Sequence, residues 1–193
     1  MKSAVFSVKR AFDMLLVSFA TLILALPIII VALLVKLTSS GPALYWSERV
    51  GRHNRNFMMP KFRSMRVGTP AMATHLMTNP EAHLTSIGSF IRRTSLDELP
   101  QLWSIWRGDM SFVGPRPALF NQGDLIAART ELQVHELVPG LTGWAQVNGR
   151  DELPIPEKVK LDAEYLKRRS FLFDLRILWM TASKVVGRKG ISH

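Results

Sequence analysis

The chain contains no cysteine. That excludes disulfides, cysteine-ligated zinc, iron–sulfur clusters and a thiol nucleophile. Only one segment is apolar for long enough to cross a bilayer, which excludes a multi-span membrane protein. There is no G-x-S-x-G elbow, no Walker-type loop, no internal repeat and no low-complexity tract. His53, His75, His83, His135 and His193 show no metal-ligand spacing and read as surface residues. What is present is 193 residues, 47% hydrophobic and 21% charged. That is enough for one domain with a small appendage, and too apolar for a disordered tail.

Charge of one sign is scarce in particular places. The formal net charge is +10, from 25 Lys and Arg against 15 Asp and Glu. Residues 36–66 contribute +6 of it: Lys36, Arg49, Arg52, Arg55, Lys61, Arg63 and Arg66 against Glu48. Residues 1–13 contribute +2, through Lys2, Lys9 and Arg10 against Asp13. Between these clusters lies Met14–Val35, with no charge at all. Cations beside an apolar run read as contacts with an anionic membrane surface. No nucleic-acid recognition motif is visible, so no nucleic-acid partner is expected.

Met14–Val35 is 22 residues long, about 33 Å as a helix and enough to span a bilayer. No small-x-small site ends it, which argues against a cleaved signal peptide. Pro27 lacks an amide hydrogen and crowds the preceding turn, so a kink is expected there. Two placements stay open on these features. One is a plain transmembrane helix. The other enters one leaflet, bends and leaves by the same face, which puts both basic flanks on the cytoplasmic side.

The remainder reads as helices with short extended pieces, a mainly α, α+β chain. Thr38–Pro42 is a breaker-rich turn. Ala43–Trp46 and Phe57–Met65 read as extended, with a basic turn over Gly51–Asn56 between them. Gly68–Pro80 has loop composition. Helical spacing is expected over Thr85–Arg93, Leu119–Arg129, Ile155–Arg169 and Ser170–Val186, and Val138–Arg150 reads as Gly-rich and irregular. The best-signalled helix is Ser95–Arg107. There Ser95 and Glu98 match a capping box, and Leu96, Leu99, Leu102, Trp103 and Trp106 form a stripe. In the last helix Phe171, Leu175, Leu178, Trp179, Ala182, Val185 and Val186 share a face expected to pack on the core.

Asp97 and Glu98 stand together at the start of that best-signalled helix. Acidic residues in a first turn stabilise the helix dipole, and this bland account competes with a functional one. The functional reading comes from the neighbours. Arg92 and Arg93 lie upstream, and Arg116 sits in the Pro-bracketed turn Gly114-Pro-Arg-Pro117. Converging arginines suit phosphate, and a carboxylate among them suits Mg²⁺ shared with phosphate oxygens.

Taken together, KRAFDMLLVSFATLILALPIIIVALLVKLTSSGPALYW, KFRSM, SIGSFIRRTSLDELPQLWSIWRGDMSFVGPRP, VPGLTGWAQVNGR and LDAEYLKRRSFLFDLRIL closely resemble the bacterial sugar transferase family, the monotopic phosphoglycosyl transferases. The likeness runs through nearly the whole chain in the right order. The short length resembles the stand-alone catalytic domain of the family, and the chain looks most like the members that initiate bacterial protein N-glycosylation, though capsule and O-antigen members share the core.

The resemblance implies a re-entrant hairpin over residues 1–37 and a catalytic domain with amphipathic interfacial helices over residues 38–193. That domain would lie on the cytoplasmic face of the bacterial inner membrane. It implies transfer of a sugar 1-phosphate from a UDP-sugar to a polyprenyl phosphate, typically undecaprenyl phosphate, with UMP released. By carry-over Asp97 is the nucleophile and first ligand of Mg²⁺, and Glu98 orients it, contacts an arginine or helps with the metal. Arg92 and Arg116 match positions near the phosphates, Lys61 and Asp162 positions near the active site, and Arg150 a contact to the nucleotide phosphate.

Two departures stand out: Leu26, where the family often has Ser before the helix Pro, and Met59-Pro60 before Lys61. A membrane-anchored scaffold in which Asp97-Glu98 only caps a helix is the alternative. The sugar and the oligomeric state, a homodimer included, are not specified by the sequence.

Overall fold

A computed structural model describes residues 2–70, 77, 79–149 and 153–186. Arg150, His75 and His193 lie outside the described residues. The described residues are mainly helical, with two small sheets.

Helix α1, Lys2–Thr38, continues through Pro27 without interruption. One stripe of it faces the rest of the chain. Val17, Val31 and Val35 are buried, and Leu24 and Ile28 are partly buried between them. Their spacing follows the helical repeat. The opposite face, with Leu15, Phe19, Leu22, Leu26, Leu33 and Leu37, is exposed.

Both ends of α1 are tied to the same body. Near its start Lys9 Nζ lies 2.6 Å from Asp174 Oδ2. The Arg10 guanidinium donates to the carbonyls of Ile105 and Trp106 at 2.6 and 2.8 Å. The buried Asp13 carboxylate accepts the Phe112 amide at 3.1 Å. At the other end the buried Arg63 guanidinium donates to the carbonyls of Ser39 and Ser40 and to Ser39 Oγ.

A hairpin follows. Strand β1, Leu44–Val50, pairs antiparallel with β2, Asn56–Phe62, from Leu44 opposite Phe62 to Val50 opposite Asn56. Pro60 sits opposite Trp46 inside β2. It is tolerated because β2 is the outer strand of the order β2-β1-β4, with no ladder partner on its far side among the described residues. Tight turn residues His53 and Asn54, both at positive φ, join the strands.

Short helix α2, Gly88–Arg93, covers less than the expected Thr85–Arg93. The expected helix Ser95–Arg107 divides in two. Leu96–Gln101 is a 3-10 turn, and only Leu102–Arg107, α3, is α-helical. The capping box does not form: Ser95 adopts φ 56° and its side chain caps nothing. The stripe is also shorter than expected, because Trp103 and Trp106 are exposed.

Strand β3, Ser111–Val113, leads into the Gly-Pro-Arg-Pro turn and then β4, Ala118–Leu119. Helix α4 spans Gly123–Glu131, starting four residues later than the expected Leu119. The Gly-rich stretch is more ordered than expected. It holds β5, Gly140–Thr142, paired parallel with β3, and α5, Trp144–Asn148.

Helices α6, Ile155–Arg168, and α7, Phe171–Val186, close the fold. On α7 the buried residues are Phe173, Asp174 and Ile177, while Leu172 and Trp179 are each 76% exposed. Of the face expected in the core, Leu178 does pack against the core, while Phe171, Leu175, Trp179 and Ala182 are exposed; Met180 joins Phe173 and Ile177 on the inner side. The main core joins Val17 of α1, Met59 of β2, Ile105 of α3, Phe112 of β3, Tyr165 of α6 and Ile177 of α7.

Candidate active site

The site is assembled from four separate pieces of chain. Strand β2 lies along the 3-10 turn that carries Asp97 and Glu98, and α1 touches the same turn. This brings Lys61, 37 residues upstream, onto Glu98 Oε1 at 2.9 Å. From the other side Arg116 Nη2 reaches the same oxygen at 2.8 Å. Lys61 Nζ also stands 3.9 Å from Asp97 Oδ2. Arg92, at the end of α2, acts on Asp97 through its charge.

The two neighbouring carboxyls are in different electrostatic conditions. Burial pushes the Asp97 carboxyl up to about 6, against the pull of Lys61, with the Glu98 charge adding to the rise. Arg92 and Arg116 also work against it. Burial would raise Glu98 as well, but the charges and hydrogen bonds of Arg116 and Lys61 outweigh it and hold that carboxyl well below the usual range. Glu98 is thus an anion with two cations hydrogen-bonded to it. Asp97 is 7% exposed and accepts no hydrogen bond from any described residue.

A buried carboxylate short of donors suits two tasks: binding a cation and attacking an electrophile. Among the described residues no group of three or more His, Cys, Asp or Glu side chains comes together as a metal cage. That donor set fits Mg²⁺, which takes one or two carboxylates and completes its shell with water and phosphate oxygens. Asp97 would be the protein's ligand.

Of the residues singled out from the sequence, Lys61, Asp97, Glu98 and Arg116 are in contact, and Arg92 lies within electrostatic reach. Arg150 falls outside the described residues. Asp162 lies one step behind this group, joined to the Arg116 backbone through Arg129. It is 1% exposed and lies in the core side of α6, where its Oδ2 accepts Arg129 Nε at 3.0 Å and Nη2 at 2.6 Å. The carboxylate is enclosed together with its guanidinium partner. Burial raises it above its ordinary value, with Arg129 opposing the rise.

Sequence reasoning missed Arg129 and Arg49. Arg129 looks like any cation on a short helix. Its partner is 33 residues away, and no local pattern announces that pairing. His135, read as a surface residue, is half-buried with Nδ1 unpartnered among the described residues.

The family model for bacterial sugar transferases matches residues 4–188. The chain is 38% identical over 187 residues to the uncharacterized sugar transferase EpsL of Bacillus subtilis, covering 96% of this chain and 90% of that protein. It is 42% identical over 167 residues to the UDP-glucose:undecaprenyl-phosphate glucose-1-phosphate transferase of Xanthomonas campestris, covering 82% of this chain and 34% of that protein. The enzyme of the same name from Escherichia coli is 38% identical over 183 residues, covering 91% of this chain and 39% of that protein. The chain thus spans little more than a third of the length of these last two relatives.

Proposed function

The chain belongs to the bacterial sugar transferase family, and on that premise we propose that it transfers a sugar 1-phosphate from a UDP-sugar to undecaprenyl phosphate and releases UMP. The observation that carries this reading is the Asp97 carboxylate. It is buried, accepts no hydrogen bond from the described residues, and lies within the electrostatic reach of Lys61, Arg92 and Arg116.

In the proposed reaction an Asp97 oxygen attacks the β-phosphorus of the donor. The bond from that phosphorus to the bridging oxygen breaks, and UMP leaves with the electron pair. A phosphoglycosyl-aspartate remains. An oxygen of the lipid phosphate then attacks the same phosphorus and returns Asp97 as a carboxylate. No general base is needed for the first step when Asp97 is ionised.

The obstacle is repulsion between anions. Lys61 and Arg92 offset charge beside Asp97, and Arg116 stands at the other carboxylate to meet phosphate oxygens. Glu98 fixes Lys61 and Arg116 in place by giving both one acceptor. Mg²⁺ held at Asp97 would supply further neutralisation of the diphosphate.

A re-entrant placement of residues 1–37, with residues 38–193 as the catalytic domain on the cytoplasmic side of the inner membrane, belongs to the same reading. Its support is that one folded body grips both ends of α1 while the apolar face between them stays exposed. Exposed Trp103, Trp106, Leu172 and Trp179 would extend that apolar surface as interfacial contacts.

The test is UMP release from UDP-glucose, UDP-galactose and N-acetylated UDP-sugars, with Mg²⁺ and undecaprenyl phosphate. Labelled donor should leave a covalent adduct on Asp97. Asp97→Asn should give no adduct and lose at least about 10³-fold in rate, the scale on which loss of a covalent nucleophile is felt. Retained transfer in that variant would remove Asp97 from the role. Absence of UMP release with every donor would favour a non-catalytic, membrane-anchored protein.

A further inference from the structure

The Gly114-Pro-Arg-Pro117 turn presents three successive carbonyls, and each is held by a different element. Gly140 of β5 donates its amide to the Pro115 carbonyl at 2.9 Å. Arg129 of α4 donates Nη1 to the Arg116 carbonyl at 2.8 Å. Arg49 of β1 donates Nη1 to the Pro117 carbonyl at 3.3 Å. The turn also packs backbone against backbone. A Cβ on Gly114 would meet the Val138 carbonyl at 2.4 Å, and one on Gly140 would meet the Gly114 nitrogen at 2.1 Å. Only glycine fits this approach.

Arg129 differs from the other two holders. It is 8% exposed, and its remaining donors Nε and Nη2 both go to Asp162 Oδ2. A planar guanidinium pinned by two of its nitrogens has no freedom to turn its third. Asp162 therefore aims Arg129 Nη1 at the Arg116 backbone. Beyond that backbone, the Arg116 side chain reaches Glu98, which also holds Lys61.

We propose that Arg129, aimed by Asp162, is a positioning residue: it fixes the backbone of Arg116 so that the Arg116 guanidinium reaches Glu98 beside Asp97. The inference deepens the transferase reading above and rests on it for its kinetic test. It gives Asp162 a role that its burial permits, behind the site rather than in it.

The test uses the full chain in lipid nanodiscs. Replacing the buried pair together, Arg129→Met with Asp162→Leu, removes the bond to Arg116 without leaving an unpaired buried charge. We expect a cooperative melt close to that of the unaltered protein. We also expect a fall of about 10- to 100-fold in kcat/KM for the UDP-sugar, the scale of a small misplacement in a positioned site. In an Arg116→Ala background the same pair replacement should cost less than about threefold, because the group it positions is gone. Equal falls in both backgrounds, or none in either, overturn the proposal.

Should the pair replacement fail to fold, Arg129→Lys serves. It keeps a charge for Asp162, but one ammonium cannot hold the guanidinium's fork geometry to both partners. Hydrogen exchange over residues 114–119 reads the proposal without turnover. Faster exchange there, with β1 and β2 unchanged, is expected; unchanged exchange overturns it. An unaltered protein that releases no UMP from any donor would instead overturn the transferase reading, and the exchange result would still decide the role of Arg129.

Discussion

Asp97 is held under conditions that oppose its ionisation, and its folded-state value near 6 lies above the ordinary 3.8. The folded protein then holds this proton more tightly than the unfolded chain. Stability contributed by Asp97 is complete below about 4 and is lost as pH rises through about 6. Asp97→Asn should therefore stabilise the protein in chelator at pH 7.5 by on the order of 2 kcal/mol. That corresponds to a rise of roughly 4–8 °C in melting temperature. At pH 4 the gap should close. Melts of both proteins at the two pH values check this, and an Asn variant less stable at pH 7.5 would contradict it. Added Mg²⁺ should narrow the gap by stabilising only the carboxylate form.

In the proposed reaction the same carboxyl sets the pH dependence of transfer. Attack by Asp97 would require the anion, so the rate should fall as pH drops through about 6. Lys61 is the strongest group favouring the anion, ahead of Arg92 and Arg116, while Glu98 opposes it. Lys61→Gln should move the acid limb to higher pH as well as slow the reaction. A pH profile of UMP release in single turnover reads the shift. An acid limb left in place would mean that Lys61 does not act on Asp97 through its charge.

Tyr165 shows how a buried hydroxyl is kept a donor. Burial first, then the Asp174 charge, push it well above its ordinary value. It donates to Asp174 Oδ1 at 2.7 Å while Lys9 takes Oδ2. One carboxylate on α7 thereby ties α6 to the first turns of α1.

At the scale of elements, the most informative difference concerns residues 95–107. The pattern S-x-x-E predicts a capped helix, and local energetics favour it by about 1 kcal/mol. Glu98 instead takes two charge-assisted bonds from Lys61 and Arg116, each stronger than a neutral cap. The turn tightens to 3-10, with the Glu98 amide donating to the Ser95 carbonyl at 3.2 Å. The partners lie 37 and 18 residues away in sequence, so no window-based reading could weigh them. Helix α7 differs for another reason: in sequence an apolar face reads the same whether it meets a core or a lipid surface.

The joint between α1 and β2 makes its own prediction. Arg63 stands two residues after Lys61 and binds Ser39 and Ser40 at the end of α1. Gly41 follows at φ 112°, where a Cβ would come within 2.9 Å of Arg63 Nη1. Arg63→Met should destabilise by about 2–3 kcal/mol through unpaired carbonyls. Gly41→Ala should cost at least about 1 kcal/mol through its backbone. Chemical melts in detergent measure both. A neutral outcome for Gly41→Ala would show that the joint relaxes freely.

At the scale of the whole molecule, the proposed reaction asks how a water-soluble donor and a lipid acceptor would meet at one atom. One body grips α1 at both ends, so on the proposed placement the depth of the helix in lipid would set the height of Asp97. A re-entrant helix predicts that cysteines introduced at Ser3 and Ser39 are labelled from the same, cytoplasmic side in oriented vesicles. Labelling from opposite sides would establish a span and remove the one-leaflet reading.

The sequence by itself determined the membrane-apt helix, its basic flanks, the family and the set of charged residues worth watching. Those are properties of composition, periodicity and motif, all carried by neighbouring residues. Only the tertiary structure decided that Glu98 is a clasp rather than a cap, that Trp103, Trp106 and Trp179 face outward, and that Asp162 pairs with Arg129 out of solvent. The physical reason is common to these cases. Each depends on which distant charge or surface arrives beside a residue, and burial then multiplies the strength of that encounter.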